Sequence, residues 1–231
     1  MKYSTIFFDL DDTILDTQQN SKDAISEIYT DYKYDNYFPT FDDFYTRYQS
    51  VNLHLWDLYE QNLIGKDHLM SERFSKTLEG YTDITKEQSL DINQDFMGRV
   101  SSRKNIINGA KEILDYLQPR YNMYVLSNGF QEVQDKKIHN AGVGHYFKKV
   151  ILSDQVGKNK PHPIIFDYAL QQAGVSKADC IMIGDNINTD IIGAKNSGMD
   201  QVWFNPKKVA DSNGISPSYT IESLDELRCI L

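Results

Sequence analysis

Ile6-Phe7-Phe8-Asp9-Leu10-Asp11-Asp12-Thr13 sets an apolar run directly against three carboxylates and a threonine. A short apolar run ahead of a polar cluster reads as a buried strand that delivers its C-terminal end to a site. Asp9 and Asp11 are two residues apart, so extended geometry sends both side chains to the same side. Two carboxylates about 4 Å apart repel by ~4 kcal/mol at an effective dielectric of about 20. That is about three pKa units, and a cation between them relieves it. Hard oxygen ligands of this kind suit Mg²⁺, which shares its shell with water and substrate phosphate. Taken alone, the stretch reads equally as an acidic turn capping the next helix.

Downstream the texture changes. From Ser21 to Arg103 the pattern is helical and rich in tyrosine and phenylalanine. Thr40 opens a long helix with Asp42 and Asp43 in its first turn, where they complement the helix dipole. Phe41, Phe44, Tyr45, Tyr48, Leu55 and Tyr59 recur at helical spacing, and Gly65 is expected to end the segment. Leu69, Phe74 and Leu78 mark a second helix. Thr85 with Gln88 forms a capping box for a third, which carries Phe96 and Val100. The expectation is a small helical bundle whose aromatics are mostly its own core.

From Asn105 onward helices and strands alternate. Strands are expected at Met123–Leu126, Lys149–Leu152, Cys180–Ile183 and Gln201–Phe204. Helices are expected from Asn108-Gly109 to Leu117, up to Ala141, over Pro163–Ala173, up to Ser197, and after the Ser223/Glu226 box. Such alternation implies right-handed crossovers and a parallel sheet covered on both faces. The chain therefore divides into an α/β domain (1–16 and 104–231) and a helical insert (17–103).

With 231 residues and 40% hydrophobic content, the chain can bury a substantial core. Its formal charge is −9. The insert holds 15 acidic and 9 basic residues, so −6 of that charge lies there. A binder of long nucleic acid needs a basic footprint, and none is present. Cys180 and Cys229 are the two cysteines, which suggests a reducing compartment rather than a disulfide framework. No stretch approaches the ~20 apolar residues that span a bilayer. The N-terminus lacks a signal-peptide pattern, so the cytoplasm is the default expectation.

In an open parallel sheet, ligands bind beyond the carboxyl ends of the strands. The first strand end supplies Asp9 and Asp11. The second supplies Ser127 and Asn128 near a helix start, a usual phosphate setting. Lys160, stiffened by Pro161, follows the third. The fourth supplies Asp185, with Asp190 five residues later. Each has a plainer reading as helix cap, solvated lysine or acidic turn, but their joint arrival at successive strand ends points to a site.

Asp9-Leu10-Asp11-Asp12-Thr13, Ser127-Asn128-Gly129, Lys160-Pro161 and Gly184-Asp185 with Asp190 resemble the four ordered motifs of the haloacid dehalogenase-like (HAD) phosphohydrolases. The resemblance covers nearly the whole chain. It implies a Rossmann-like, doubly wound parallel sheet of order 5-4-1-2-3 with an inserted α-helical cap. It further implies that Asp9 is the nucleophile that forms an aspartyl-phosphate, with Asp11 as general acid and then base. Asp9, the Asp11 main-chain carbonyl and Asp185 would hold Mg²⁺. Asp11, Ser127, Asn128 and Lys160 would surround the phosphate, with Thr13 and Asp190 supporting them, Asp190 by orienting Lys160 or a metal-bound water. The second carboxylate, Asp11, argues against dehalogenation, which has no alkoxide to protonate.

Within the insert, Tyr48, Asn52, Leu55-Trp56, Tyr59, Ile64 and Arg73-Phe74, with Asn128-Gly129-Phe130 and Val156-Gly157, resemble the bacterial noncanonical-pyrimidine 5′-nucleotidases. That resemblance implies a nucleoside monophosphate as substrate. Asn52 and Trp56 are one helical turn apart and share a face, which suits a base ring with polar edges. They suit the bundle's own packing equally well. Arg73 could reach a ribose, a carbonyl or the phosphate, or pair with Glu72 at the surface. Trp203 reads as sheet packing, and the five histidines show no metal-ligand spacing. The competing readings are a phosphatase of sugar phosphates, phosphoglycolate or a flavin-pathway intermediate, a phosphosugar mutase, and a nucleotide-binding module without catalysis. Oligomeric state is not legible.

Overall fold

The computed structural model describes residues 2–211 and 214–231. The chain forms two compact units. One takes the chain up to Thr17 and from Lys104 onward, and the other is Gln18–Arg103.

The first unit is built on a six-stranded, wholly parallel sheet. Its strands are β1 (Thr5–Phe8), β2 (Asn122–Ser127), β3 (Lys149–Leu152), β4 (Cys180–Gly184), β5 (Asp200–Phe204) and β6 (Tyr219–Ile221). They lie in the order β3-β2-β1-β4-β5-β6. This is the expected order with a sixth strand added beyond β5. The three residues of β6 are too few for a period-2 pattern to register.

Every residue of β1 is buried, as expected of a central parallel strand with both faces covered. Alternate side chains serve the two faces. Ile6 and Phe8 pack with Ile113, Leu114 and Leu117 of α5 (Ala110–Leu117). Phe7 packs with Ile165, Phe166 and Ala169 of α7 (Pro163–Ala173) on the other side. Phe8 pairs in register with Val125 of β2 and Ile183 of β4. The C-terminal ends of the three central strands therefore come level, which sets up the site.

Helix α6 (Gln131–Ala141) follows β2, and a π-helical turn at Ile187–Ile191 leads into the short α8 (Ile192–Asn196). The Ser223/Glu226 capping box is present, but it opens a 3₁₀ segment, Leu224–Cys229, rather than an α-helix. Cys180 is buried and Cys229 exposed, and both are free thiols.

The second unit consists of α1 (Thr17–Asp31, whose first residue belongs to the sheet unit), α2 (Phe41–Glu60), α3 (Lys66–Leu78) and α4 (Lys86–Ser102). Thr40 caps α2 by accepting from the Asp43 N–H, and Thr85/Gln88 form the full box on α4. Phe44, Tyr48, Phe74 and Phe96 form the middle of its core, with ring centroids 5.6–5.9 Å apart around Tyr48, Phe74 and Phe96. The aromatic spacing thus marks the unit's interior. Gly65 does not terminate α2; it is the N-cap of α3.

Candidate active site

Asp9 extends β1 by one hydrogen bond, its N–H donating to Ile183 O at 2.8 Å. Its Oδ1 accepts from Lys160 Nζ at 2.6 Å. The same ammonium donates to Asp190 Oδ1 and to Leu126 O, both at 2.7 Å. All three of its donors are used, and the residue is 1% exposed. Asn128 fixes the segment from which Lys160 projects. Its Oδ1 accepts from Lys160 N at 2.7 Å while its Nδ2 donates to Lys160 O at 3.0 Å. The Lys160-Pro161 bond is cis.

Asp190 reaches this point from the π-helical turn, with Oδ2 accepting from Asn186 N at 3.1 Å. Gly184 makes room for it: a Cβ there would lie 2.2 Å from Asp190 Oδ2. Asp185, partly buried, accepts from Thr13 Oγ1 at 3.3 Å, and its main-chain oxygen accepts from Trp203 Nε1 at 2.8 Å.

Asp9, Asp185 and Asp190 each bring a carboxylate oxygen to within 4.8 Å of one another. One lysine faces three acids. Burial pushes the Asp9 carboxyl well above the ordinary range, with Lys160 opposing and Asp190 and Asp11 adding to the rise. Asp185 is pushed up in the same way, by burial and then by Asp9 and Asp190. Lys160 is held above its ordinary value despite burial, because Asp190 and Asp9 favour its charged form. A buried surplus of negative charge built from hard oxygens is what a divalent cation such as Mg²⁺ neutralises. The donor set fits that ion. Asp190 joins the cluster as a third acid, beyond its expected part in orienting Lys160.

Asp11 is placed differently. β1 ends at Phe8, so regular strand geometry does not extend to Asp11, and the two carboxylates take different cations; the chain then turns at Asp12 (φ 56°). Asp9 takes Lys160, whereas Asp11 takes Lys137, with Nζ 2.7 Å from Oδ1. Thr17 Oγ1 donates to the same oxygen at 2.5 Å, and Gln134 Nε2 donates to Oδ2 at 2.6 Å. Burial pushes the Asp11 carboxyl up, but Lys137, Thr17 and Gln134 together hold it below the ordinary range. Ser127 Oγ accepts from Gly129 N at 3.0 Å and from Gln134 Nε2 at 2.8 Å.

The family model described as haloacid dehalogenase-like hydrolase matches residues 3–198. The chain belongs to that family. Over 232 residues this hydrolase is 30% identical to the pyrimidine 5′-nucleotidase YjjG of Escherichia coli (strain K12), covering 100% of this chain and 99% of that protein. It is also 30% identical to the pyrimidine 5′-nucleotidase PynA of Streptococcus pneumoniae, covering 98% and 94% of the two chains. A crystal structure of the HAD-hydrolase YfnB from Bacillus subtilis, bound to magnesium, superimposes with a TM-score of 0.90 at 29% identity, covering 100% and 99%.

Of the residues singled out in the sequence of this hydrolase, Asp9, Thr13, Asp185, Asp190 and Lys160 gather at the sheet's end, with Asn128 bracketing Lys160. Asp11 and Ser127 form an adjoining group tied together by Gln134. Asn52, Trp56 and Arg73 belong to the helical unit. Trp56 stands edge-on to Tyr59 at 5.6 Å. Asn52 Oδ1 is buried without a hydrogen-bond partner, as is Arg73 Nε. Arg73 is 1% exposed, which rules out a surface pairing with Glu72. Its Nη1 donates to Asn93 Oδ1 at 2.6 Å and approaches Met97 Sδ, and the guanidinium lies over the Phe96 ring. A groove of about 730 Å³ on the same unit, lined by Asp43, Arg47, His54, Leu55, His68 and Lys76 among others, includes none of Asn52, Trp56 and Arg73.

The sequence motifs give no role to Thr17, Gln134 or Lys137, and Trp203, expected only to pack on the sheet, also donates its indole N–H to the Asp185 carbonyl. A signal for two of them exists, since Gln134 and Lys137 stand three apart on the helix that follows a site-bearing strand end. No helix among the described residues is long and apolar enough to cross a membrane.

Proposed function

We propose that this hydrolase is a Mg²⁺-dependent phosphomonoesterase acting on pyrimidine nucleoside monophosphates, with the helical unit serving as its substrate lid. The observation that carries the reading is the buried group of three carboxylates and one lysine at the ends of β1 and β4. Mg²⁺, when bound by Asp9, Asp185 and the Asp11 carbonyl, would neutralise phosphate oxygens so that an anionic nucleophile can approach an anionic ester.

The chain's own groups do the rest. An Asp9 oxygen attacks phosphorus and the bond from phosphorus to the ester oxygen breaks. Asp11, whose partners favour the carboxylate, takes up a proton before this step and gives it to that oxygen, releasing the nucleoside; as the carboxylate again, it takes a proton from the water that attacks phosphorus and frees Asp9. Ser127, Asn128 and Lys160 hold the phosphoryl oxygens, Asp190 and Thr13 support Lys160 and Asp185, and the covalent step divides a very high barrier. Asn52 Oδ1 and Arg73 Nε, both lacking a protein partner, are the polar atoms that would read a pyrimidine's edge, with Trp56 offering a ring surface. The pyrimidine nucleotidases among the relatives support this choice of substrate.

The test is phosphate release from a panel of nucleoside monophosphates and sugar phosphates, with and without Mg²⁺. Metal-dependent hydrolysis with the highest kcat/KM on pyrimidine nucleotides is expected, together with loss of turnover in Asp9→Asn. A sugar phosphate as the preferred substrate overturns the substrate assignment. Undiminished turnover in Asp9→Asn overturns the mechanism.

A further inference from the structure

Lys137 and Gln134 have no part in the chemistry just described, yet both end on its acid. Their side chains leave one face of α6 and take opposite oxygens of Asp11, at 2.7 Å to Oδ1 and 2.6 Å to Oδ2. Thr17 adds a third donor, the second on Oδ1. The carboxylate is therefore gripped at both ends by groups from two distant parts of the chain. Gln134 is 0% exposed, and its amide nitrogen also donates to Ser127 Oγ, so the grip is anchored to the end of β2.

Two costs accepted by the fold mark this arrangement as selected. Gln134 Oε1 is buried with no hydrogen-bond partner, a deficit worth about 1–3 kcal/mol. Turning the amide over would not cure it, because the oxygen would then face the Asp11 carboxylate. The second cost is at Gly129, where an added Cβ would lie 2.2 Å from Gln134 Nε2. Only a residue without a side chain lets the amide pass under the strand end.

We propose that Lys137 and Gln134 are positioning residues for leaving-group protonation: they hold the Asp11 carboxylate at the place from which it serves the ester oxygen. The inference rests on the phosphomonoesterase reading. An ammonium and an amide N–H on opposite oxygens fix the orientation of the Asp11 carboxyl group through the transfer of the proton and the water step that follows. Without them, the freed carboxylate is at liberty to turn toward the cluster around Asp9, away from the ester oxygen.

The test compares two esters in Lys137→Met, Gln134→Leu and Lys137→Arg. A nucleoside monophosphate must have its leaving oxygen protonated, whereas p-nitrophenyl phosphate departs as a stable phenolate. The kcat/KM of each reports the steps up to that departure. Misplacing a general acid costs about 100-fold, so the ratio of kcat/KM for the nucleotide to that for p-nitrophenyl phosphate should fall by about that factor in Lys137→Met. A smaller fall is expected in Gln134→Leu, and Lys137→Arg should recover most of the ratio. An unchanged ratio overturns the inference, whether both esters slow equally or neither does, and leaves the phosphatase reading standing. A wild-type protein that hydrolyses neither ester overturns both.

Discussion

The two units each bury a cation almost completely, and they treat it in opposite ways. Lys160 and Arg73 are both 1% exposed. Lys160 has two carboxylates on its ammonium, and a third stands close by. Arg73 has an amide oxygen, a thioether and the face of a ring, and no acid. The sheet unit therefore carries surplus negative charge in the dark and the helical unit surplus positive. Burial costs several kcal/mol per unpaired ion, and the pKa directions register it: Asp9 and Asp185 are driven up and the Arg73 guanidinium down. Stability alone does not explain either surplus. A divalent cation would complete the first, and an electron-rich substrate edge the second.

Removing Lys160 should give the largest effect. In Lys160→Met the three acids lose their one buried counter-charge. Breaking a buried ion pair this way costs about 3–5 kcal/mol, and losing one preorganised charge at a phosphoryl centre costs about 10²–10³ in kcat. Urea unfolding and turnover measure the two separately. A loss below about 1 kcal/mol would mean that the acids do not depend on this lysine.

The metal comes next. Unfolded aspartates ionise near pH 4, whereas folded Asp9 and Asp185 keep their protons to higher pH. The folded state then binds more protons than the unfolded, so metal-free stability falls as pH rises through the raised values. Mg²⁺ binds the ionised form, so its stabilisation grows across the same interval. At 100 times Kd it amounts to about 2.7 kcal/mol, or roughly 5–10 °C in Tm for a chain of this size. Calorimetry should show a larger Mg²⁺ shift at pH 7 than at pH 5. Asp185→Asn should abolish the shift and stabilise the metal-free protein at pH 7 by about 1 kcal/mol. Equal shifts at both pH values would sever the cluster from the ion.

How much of this was legible in the sequence follows from which interactions are local. The fully apolar β1, the Thr85/Gln88 box and the run of strand ends could be read because each depends on neighbours in sequence. So could the helical unit's aromatic interior, although Gly65, expected to end one helix, caps the start of the next. The three residues of β6 carry no period by which a strand could be recognised. Lys137 could not be assigned to Asp11, 126 residues away, from its own surroundings. The same holds for Gly129 and Gly184, whose importance is the room each leaves for a longer side chain. The different cations of the two carboxylates, Lys160 for Asp9 and Lys137 for Asp11, are likewise set by residues far off in sequence.

Arg73 sharpens the comparison from the other side. In Arg73→Met, Asn93 Oδ1 loses its donor, a cost of about 1–2 kcal/mol. Removing both in Arg73→Met/Asn93→Leu should restore stability to near the parent, because replacing both partners by apolar groups is nearly neutral. If the guanidinium also receives the substrate, the double variant keeps a KM for pyrimidine nucleotides raised about 10-fold with kcat little changed, the mark of lost uniform binding. A stable double variant with an unaltered KM would make Arg73 a packing residue.

The smallest effect belongs to a cation with as many acids around it as Lys160 but in contact with water. Arg99 forks onto Asp95 with two bonds of 2.9 Å and reaches Asp31 at 2.7 Å. Its contact distances match those of Lys160, but its side chain is 23% exposed and those of Asp95 and Asp31 are 34% and 57% exposed. Exposed pairs contribute about 0.2–1 kcal/mol, and at 1 M salt the screening length falls to about 3 Å. Arg99→Gln should therefore cost less than about 1 kcal/mol in dilute buffer and almost nothing at high salt, where the Lys160→Met loss persists. If salt erases both losses alike, water reaches the Lys160 cluster, and the buried charge imbalance on which the metal assignment rests is gone.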